Sequence, residues 1–160
     1  MADVAEVSES THIDASGVVV YSMISDVTRM GLWSPETTAC RWLNGATGAA
    51  VGNRFRGANR AGWRRWSTTC RVIAAERGRR FAFDVSLSRF PIARWSYDID
   101  ADGPGQTGCT VTESWADRRP RWMQRLSPYV MGVKSWPDHN RDGMVRTLAA
   151  LKTAAEAPPR

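Results

Sequence analysis

Between Thr37 and Trp115 apolar and polar residues alternate with a period of two, and no other feature of the 160-residue chain restricts its fold as much. Cys40 and Trp42 flank Arg41; Phe55, Gly57 and Asn59 interleave with Arg54, Arg56 and Arg60; Trp66, Thr68, Cys70 and Val72 oppose Arg65, Thr69 and Arg71. The pattern continues through Phe81, Phe83, Val85 and Leu87, then Trp95, Tyr97 and Ile99, then Cys109, Val111, Glu113 and Trp115. Turn signals separate the runs at Asn44-Gly45-Ala46-Thr47-Gly48, Ala61-Gly62 and Arg89-Phe90-Pro91. Strands linked this closely predict an antiparallel meander with one aromatic, apolar face, because parallel neighbours need crossovers of about a dozen residues or more.

That face has to be covered, and the stretch from Ser135 to Glu156 is the element long enough to do it. Met144, Leu148, Leu151 and Ala155 recur at the spacing of one helical face, while Arg141, Arg146 and Lys152 point elsewhere. Ser135 is placed to cap the first free amides, Pro137 suits an opening turn, and Asp138 complements the positive end of the dipole. Ala157-Pro158-Pro159-Arg160 stops the helix, since neither proline supplies a helical amide. At roughly 1.5 Å per residue the helix is about 30 Å long, which only a broad sheet can cover. Upstream, Val4 to Ile13 alternates loosely as a strand with one wet face, and Asp14-Ala15-Ser16-Gly17 serves as turn and cap. Val18 to Ile24 and Val27 to Leu32 then read as two short helices, ended at Trp33-Ser34-Pro35. The predicted fold is α+β: a curved antiparallel sheet of about seven strands wrapped around a long C-terminal helix, with two short helices after the first strand, in one domain over residues 1–160.

A hydrophobic content of 42% suffices for one core of that size. The opening Met1-Ala2-Asp3-Val4-Ala5-Glu6 lacks the basic and apolar regions of a signal peptide, and no later stretch is apolar for long enough to cross a bilayer, which predicts a soluble cytoplasmic protein. Cys40, Cys70 and Cys109 are odd in number, far apart and free of CxxC spacing, so buried free thiols are expected rather than disulfides or a zinc site. No metal and no cofactor is predicted. The net charge of +6 raises the question of an acidic partner. Only Lys134 and Lys152 are lysines, leaving 20 of the 22 basic residues as arginines spread along the chain. No reading helix or RNA-binding aromatic motif accompanies them, so nucleic acid is not expected as a partner.

Several local features then combine. The order of elements, the Trp33-Ser34-Pro35 break, the run Val51-Gly52-Asn53-Arg54-Phe55-Arg56-Gly57-Ala58-Asn59, the Trp95-Ser96-Tyr97 strand, Glu113-Ser114-Trp115 and the closing Met144-Val145-Arg146-Thr147-Leu148 together resemble the SRPBCC superfamily. More narrowly, the chain is similar to its polyketide cyclase/dehydrase branch, whose helix-grip fold is shared with START lipid-transfer domains and the birch-pollen allergen family. The resemblance covers nearly the whole chain and specifies fold far better than substrate. It implies a deep cavity between sheet and last helix, used by relatives for sterols, lipids, plant hormones or polyketide intermediates, and hence a small hydrophobic molecule as partner. On that implication Trp42, Phe55, Asn59, Trp66, Thr68, Phe83, Trp95, Tyr97, Glu113, Trp115, Met131, Met144 and Leu148 are the expected ligand-binding residues. The aromatic members offer flat apolar surface, and each serves equally well as plain core.

Polar residues on an inward face carry more information, because burying them unpaired costs about 1 to 3 kcal/mol each. Asn59, Thr68 and Glu113 are the ones in question. Glu113 is the candidate catalytic residue: with Val111 and Trp115 as same-face neighbours it either finds a cation or stays protonated, and a buried acid of raised pKa is what proton transfer uses. Asn59 or an arginine of the last helix such as Arg141 is its expected partner. Two readings stay open, the polar end of a ligand cavity or a structural ion pair.

The segment from Asp117 to Lys134 is basic, aromatic and broken by Pro120 and Pro128. Trp122, Met123, Leu126, Tyr129 and Met131 are too many apolar groups for a solvated loop, so it is predicted to form a lid across one end of the cavity. Gly132 is its expected pivot, and Gly143 lets a guest approach the helix backbone. Transient membrane contact by this arginine-flanked lid is a second reading of the charge. Gly103-Pro104-Gly105-Gln106-Thr107-Gly108 matches GxGxxG only in its letters, since it joins two strands. His12 and His139 fit no triad or metal pattern. Three function classes follow. The first is a carrier or sensor of a small hydrophobic molecule. The second is a polyketide cyclase or dehydratase-like enzyme that orients a reactive substrate and moves protons with Glu113, Tyr97 or a water. The third is a toxin or regulatory module that meets a protein partner through the basic sheet exterior. Monomer and homodimer are both compatible with the sequence.

Overall fold

The computed structural model describes residues 5–158, so the expected strand start at Val4 and the terminal Pro159-Arg160 lie outside the described residues. The alternating runs become β2 (Thr37–Trp42), β3 (Arg54–Ala61), β4 (Arg64–Glu76), β5 (Arg80–Leu87), β6 (Phe90–Ala101) and β7 (Cys109–Asp117). Together with β1 (Val7–Ile13) they form one sheet in the order β1-β7-β6-β5-β4-β3-β2, every neighbouring pair antiparallel. Alternation sets the faces: along β7, Cys109, Val111, Glu113 and Trp115 are buried while Thr110, Thr112 and Ser114 are only half-buried. Register shifts between Thr37 and Ala39, Val72 and Ala74, and Val85 and Ser86 mark irregularities of the kind that add twist and curl a sheet.

The first two strands of the chain are thus the two edges of the sheet, and the helices close it. In α1 (Gly17–Ser25) the Ser16 hydroxyl accepts from the Val19 amide, and a 3-10 helix (Val27–Leu32) follows with Asp26 as its cap. Gly17 sits where a Cβ would lie 3.0 Å from the Gly78 carbonyl oxygen and 3.1 Å from Ile99, so α1 packs directly on the β5–β6 side of the sheet.

The segment read as a proline-broken lid is a helix, α2 (Arg121–Met131). Pro120 does not interrupt it, because its carbonyl oxygen accepts the first amides, from Met123 and Gln124, at a position where no amide of its own is required. Gly132, expected as a pivot, follows α2 directly with φ of +69°, the left-handed geometry that closes a helix.

The last helix, α3 (Trp136–Ala155), starts as its sequence dictates, with the Ser135 hydroxyl accepting from the Asp138 amide at 3.4 Å. Met144, Leu148 and Leu151 are buried, and α3 packs on β1, β7 and α1. Polar contacts fasten it to both edges of the sheet. Arg141 Nε donates to Glu9 of β1 at 3.0 Å and Lys152 Nζ to the His12 carbonyl at 2.7 Å, while His139 Nε2 meets Glu36, just before β2, at 2.5 Å. The helix therefore covers one side of the concave face and leaves much of the rest without a helix against it. Leu151→Ala should lower the unfolding free energy by about 3 kcal/mol in chemical denaturation, whereas Val145→Ala, on the exposed side of α3, should stay within about 0.5 kcal/mol.

Candidate functional site

The uncovered concave face lines a cavity of about 650 Å³, roofed by α2 and by one stripe of α3. Phe55, Asn59, Trp66, Thr68, Phe83, Trp95, Tyr97, Glu113, Trp115 and Met131, ten of the expected positions, lie along its wall. Three do not. Trp42, on an edge strand, packs edge-on against Phe55 with ring centroids 5.6 Å apart and borders a groove beside α1 instead. Met144 and Leu148 are turned into the core, because they belong to the apolar stripe with which α3 grips the sheet.

The neighbouring stripe of α3 faces the cavity and escaped the sequence reading apart from Gly143. It consists of Asn140, Gly143 and Thr147, small or polar residues at helical spacing beside Met144 and Leu148. That spacing is the signal that identifies them. A Cβ on Gly143 would find only Pro35 Cγ, at 4.0 Å, so the helix leaves open space there. His139 also reaches the wall, hydrogen-bonded to Glu36.

The polar groups divide into two sets. On one side a chain of hydrogen bonds runs from Ser34 to Thr37 (3.2 Å), Thr37 to Asn59 (3.3 Å) and Asn59 to Thr68 (3.4 Å). Asn59 is therefore not the partner of Glu113: it lies on β3, with three strands between it and β7. Arg141 is not the partner either, being drawn to Glu9 at the sheet edge.

Glu113 is instead paired with Tyr97, its direct cross-strand neighbour on β6, whose hydroxyl donates to Glu113 Oε1 at 2.8 Å. The other carboxyl oxygen, Oε2, is buried with no hydrogen-bond partner in the structure, the one such side-chain atom among the described residues. Burial pushes the Glu113 carboxyl up to about 8, against the smaller opposing pull of the Tyr97 hydrogen bond. Burial likewise raises the Tyr97 hydroxyl well above its ordinary range, reinforced by the neighbouring carboxyl. At neutral pH Glu113 is thus mostly an uncharged acid.

The roof is held by a compact junction. Ser127 Oγ accepts from Arg119 Nη1 and from Trp136 Nε1, each at 2.7 Å, so α2 is tied to the end of β7 and the start of α3. Arg119 is itself ion-paired with Asp117 and lies over the Trp136 ring at 5.0 Å. Cys40 and Cys70 also line the cavity, but burial lifts their thiols to about 11 and about 12, which leaves neither as a nucleophile near neutrality.

The family described as polyketide cyclase / dehydrase and lipid transport matches residues 4–156. The chain belongs to that family. Among solved structures, the polyketide-cyclase-like protein Cgl2372 of Corynebacterium glutamicum is 32% identical over 93% of this chain and 90% of its own, with a TM-score of 0.60. The ginseng major latex-like protein 151 of Panax ginseng superposes with a TM-score of 0.68 at 16% identity, covering 94% and 97%. The di-domain ARO/CYC protein BexL of the BE-7585A biosynthetic pathway superposes at 0.63 with 19% identity, over 96% of this chain and 46% of that one. A comparison with curated proteins found no match. The polyketide cyclase/dehydrase branch of SRPBCC and the helix-grip fold, both expected from the residues, are what the chain has.

The neutral acid sets a pH dependence. Between the ordinary carboxyl value of 4.5 and the folded value of about 8, the folded protein holds a proton that the unfolded chain has released, so stability falls as pH rises through that window and levels off above it. Glu113→Gln should abolish that slope, match the wild type near pH 4, and exceed it by on the order of 4 kcal/mol at pH 8 in denaturant titrations.

Proposed function

We propose that the protein holds a small hydrophobic guest in this cavity, as a carrier or sensor, with Glu113 meeting a single polar oxygen of that guest. The observation that carries the reading is the combination of a hollow of about 650 Å³ with one unpartnered carboxyl oxygen buried in its wall. The volume falls within the roughly 300 to 1,000 Å³ typical of small-molecule sites. Its deepest walls are Phe55, Phe83, Tyr97 and Trp115, which favour an apolar or aromatic body. Tyr97 occupies Oε1 as donor, so below pH of about 8 the acid's own proton is available on Oε2 for a ketone or hydroxyl oxygen. A guest with that oxygen gains a hydrogen bond and relieves an unsatisfied group at once.

A second reading, a cyclase or dehydratase-like enzyme, is favoured by the same Tyr97–Glu113 pair, since a buried acid near neutrality beside a phenol is suited to moving protons. The family description names both cyclisation or dehydration and lipid transport, and BexL is named as an ARO/CYC protein. Under the carrier reading Glu113→Gln weakens guest binding; under the enzyme reading it removes turnover of a polyketide-like substrate with affinity nearly unchanged.

Native mass spectrometry of the purified protein, with the neutral probe N-phenyl-1-naphthylamine as an added guest, tests both readings' shared requirement. Gly143→Leu fills the open space beside α3 while replacing a helix-interior glycine, which otherwise weakens a helix by about 1 kcal/mol. Occupancy is expected to fall at least tenfold in a variant that melts no lower than wild type; equal occupancy would show that guests do not enter here.

A further inference from the structure

Three stretches remote in sequence meet around the mouth of the cavity: the β3–β4 hairpin, the β5–β6 hairpin and α2. The Phe90 ring packs edge-on against Trp122 at 5.6 Å, joining the second hairpin to α2. A Cβ on Gly132 would lie 3.0 Å from the Arg64 guanidinium, so the first hairpin reaches the other end of α2. This rim is unusually apolar for a surface. Trp63 is 83% exposed and Tyr129 87%, and with Trp122 they are the exposed large aromatic residues of the described chain.

The outer face of α2 explains much of that exposure. Trp122, Leu126 and Tyr129, at the i, i+4 and i+7 spacing of one helical stripe, are all exposed; Trp122 and Leu126 border the cavity at its open mouth, Tyr129 lies outside it, and Met123, Ser127 and Met131 are the less exposed residues of α2 along the wall. A helix that covers a core normally turns a polar face outward. This one leaves Trp122, Leu126, Tyr129 and Val130 exposed.

Charge is concentrated on the same rim. Residues 60–66, 87–93 and 118–134 contain Arg60, Arg64, Arg65, Arg89, Arg118, Arg119, Arg121, Arg125 and Lys134 and no acidic residue. That is nine of the 22 basic residues and none of the 16 acidic ones, which leaves thirteen basic against sixteen acidic elsewhere. The excess positive charge of the protein therefore comes from these three stretches. Arg119 is turned inward to Asp117, while Arg64 and Arg89 lie beside the rings of Trp63 and Phe90 at 4.9 and 5.3 Å.

We propose that this rim docks on an anionic lipid bilayer, with Trp63, Trp122, Leu126 and Tyr129 entering the interface and the flanking arginines lying against lipid phosphates. An outward stripe of tryptophan, leucine and tyrosine bordered by arginine fits the headgroup boundary, where amphipathic rings and basic residues are both favoured. Nucleic acid would match the charge but leave the aliphatic part of the stripe without a role. Docking stands independently of whether the cavity holds a guest. If it does, the mouth faces the lipid, and a guest passes between bilayer and cavity without crossing bulk water, a step that rests on the proposed function.

The test is co-sedimentation of the full chain with phosphatidylcholine vesicles, with and without roughly one-third phosphatidylglycerol. Binding is expected to the anionic vesicles and to weaken at least severalfold when salt rises from about 50 to about 500 mM. Neither Trp63 nor Tyr129 lines the cavity. The double variant W63S/Y129S, with folding checked by circular dichroism, should lose at least tenfold in vesicle partitioning while N-phenyl-1-naphthylamine occupancy is unchanged, and R64E/R125E should lose a similar factor. Absence of binding to anionic vesicles, undiminished binding by the folded W63S/Y129S variant, or tighter binding to duplex DNA than to vesicles would overturn the proposal. Because the probe is read separately, loss of vesicle binding and loss of guest binding are distinguishable failures.

Discussion

A single helix held at both edges of a curled sheet sets the plan of this protein. Glu9 and the His12 carbonyl hold α3 on the β1 side, and Glu36 holds it on the β2 side through His139. Between those anchors the helix offers one apolar stripe, Met144, Leu148 and Leu151, and that stripe packs over β1, β7 and α1. A sheet of seven strands is wider than one helix, whose body with side chains is only about 10 Å across, so the remaining concave surface has nothing to touch. The aromatic floor, in which Phe55 and Phe83 pack edge-on at 5.2 Å, closes part of that gap. What remains is hollow because the stripe of α3 next to the apolar one carries Asn140, Gly143 and Thr147 rather than bulky apolar groups.

The position of Glu113 follows from the same geometry. Strand alternation turns it inward beside Val111 and Trp115, register places Tyr97 opposite it, and one oxygen is left without a partner. A residue chosen for stability alone would not leave a carboxyl oxygen unsatisfied in apolar surroundings, since an aliphatic side chain of similar size would fit without that penalty. Retained stress of this kind is expected where a site meets something that comes and goes. The Arg119–Ser127–Trp136 junction has a related consequence: α2 is anchored near its middle by short polar contacts while Trp122, Leu126 and Tyr129 stay exposed.

The strands and the closing helix were legible because their periods are strong and their boundaries carry turn and cap residues, Ser135 and Gly62 among them. The α2 helix was not, because Pro120 and Pro128 argue against a helix until the first is recognised as a residue that only starts one. Alternation tells which face a residue takes but not how far along the sheet it lies, which is why Asn59 was matched to Glu113 across three intervening strands. Tyr97 was within reach of sequence reasoning: pairing the strands outward from the 102–108 turn places it opposite Glu113. Trp42, Met144 and Leu148 share the inward sense expected of them, but whether an inward residue meets space or a neighbour depends on where α3 is fastened, and those long-range polar contacts have no local signature.

The central claim is that the protein encloses a largely apolar hollow with a buried acid in its wall, Glu113, that is neutral near neutrality. Carbon-13 NMR titration of the Glu113 carboxyl, assigned by comparison with Glu113→Gln, addresses it most directly. A midpoint near 8, moving when N-phenyl-1-naphthylamine occupies the cavity, is expected. A midpoint near the ordinary 4.5, indifferent to the probe, would mean that Glu113 sits in water and that the interior described here does not exist.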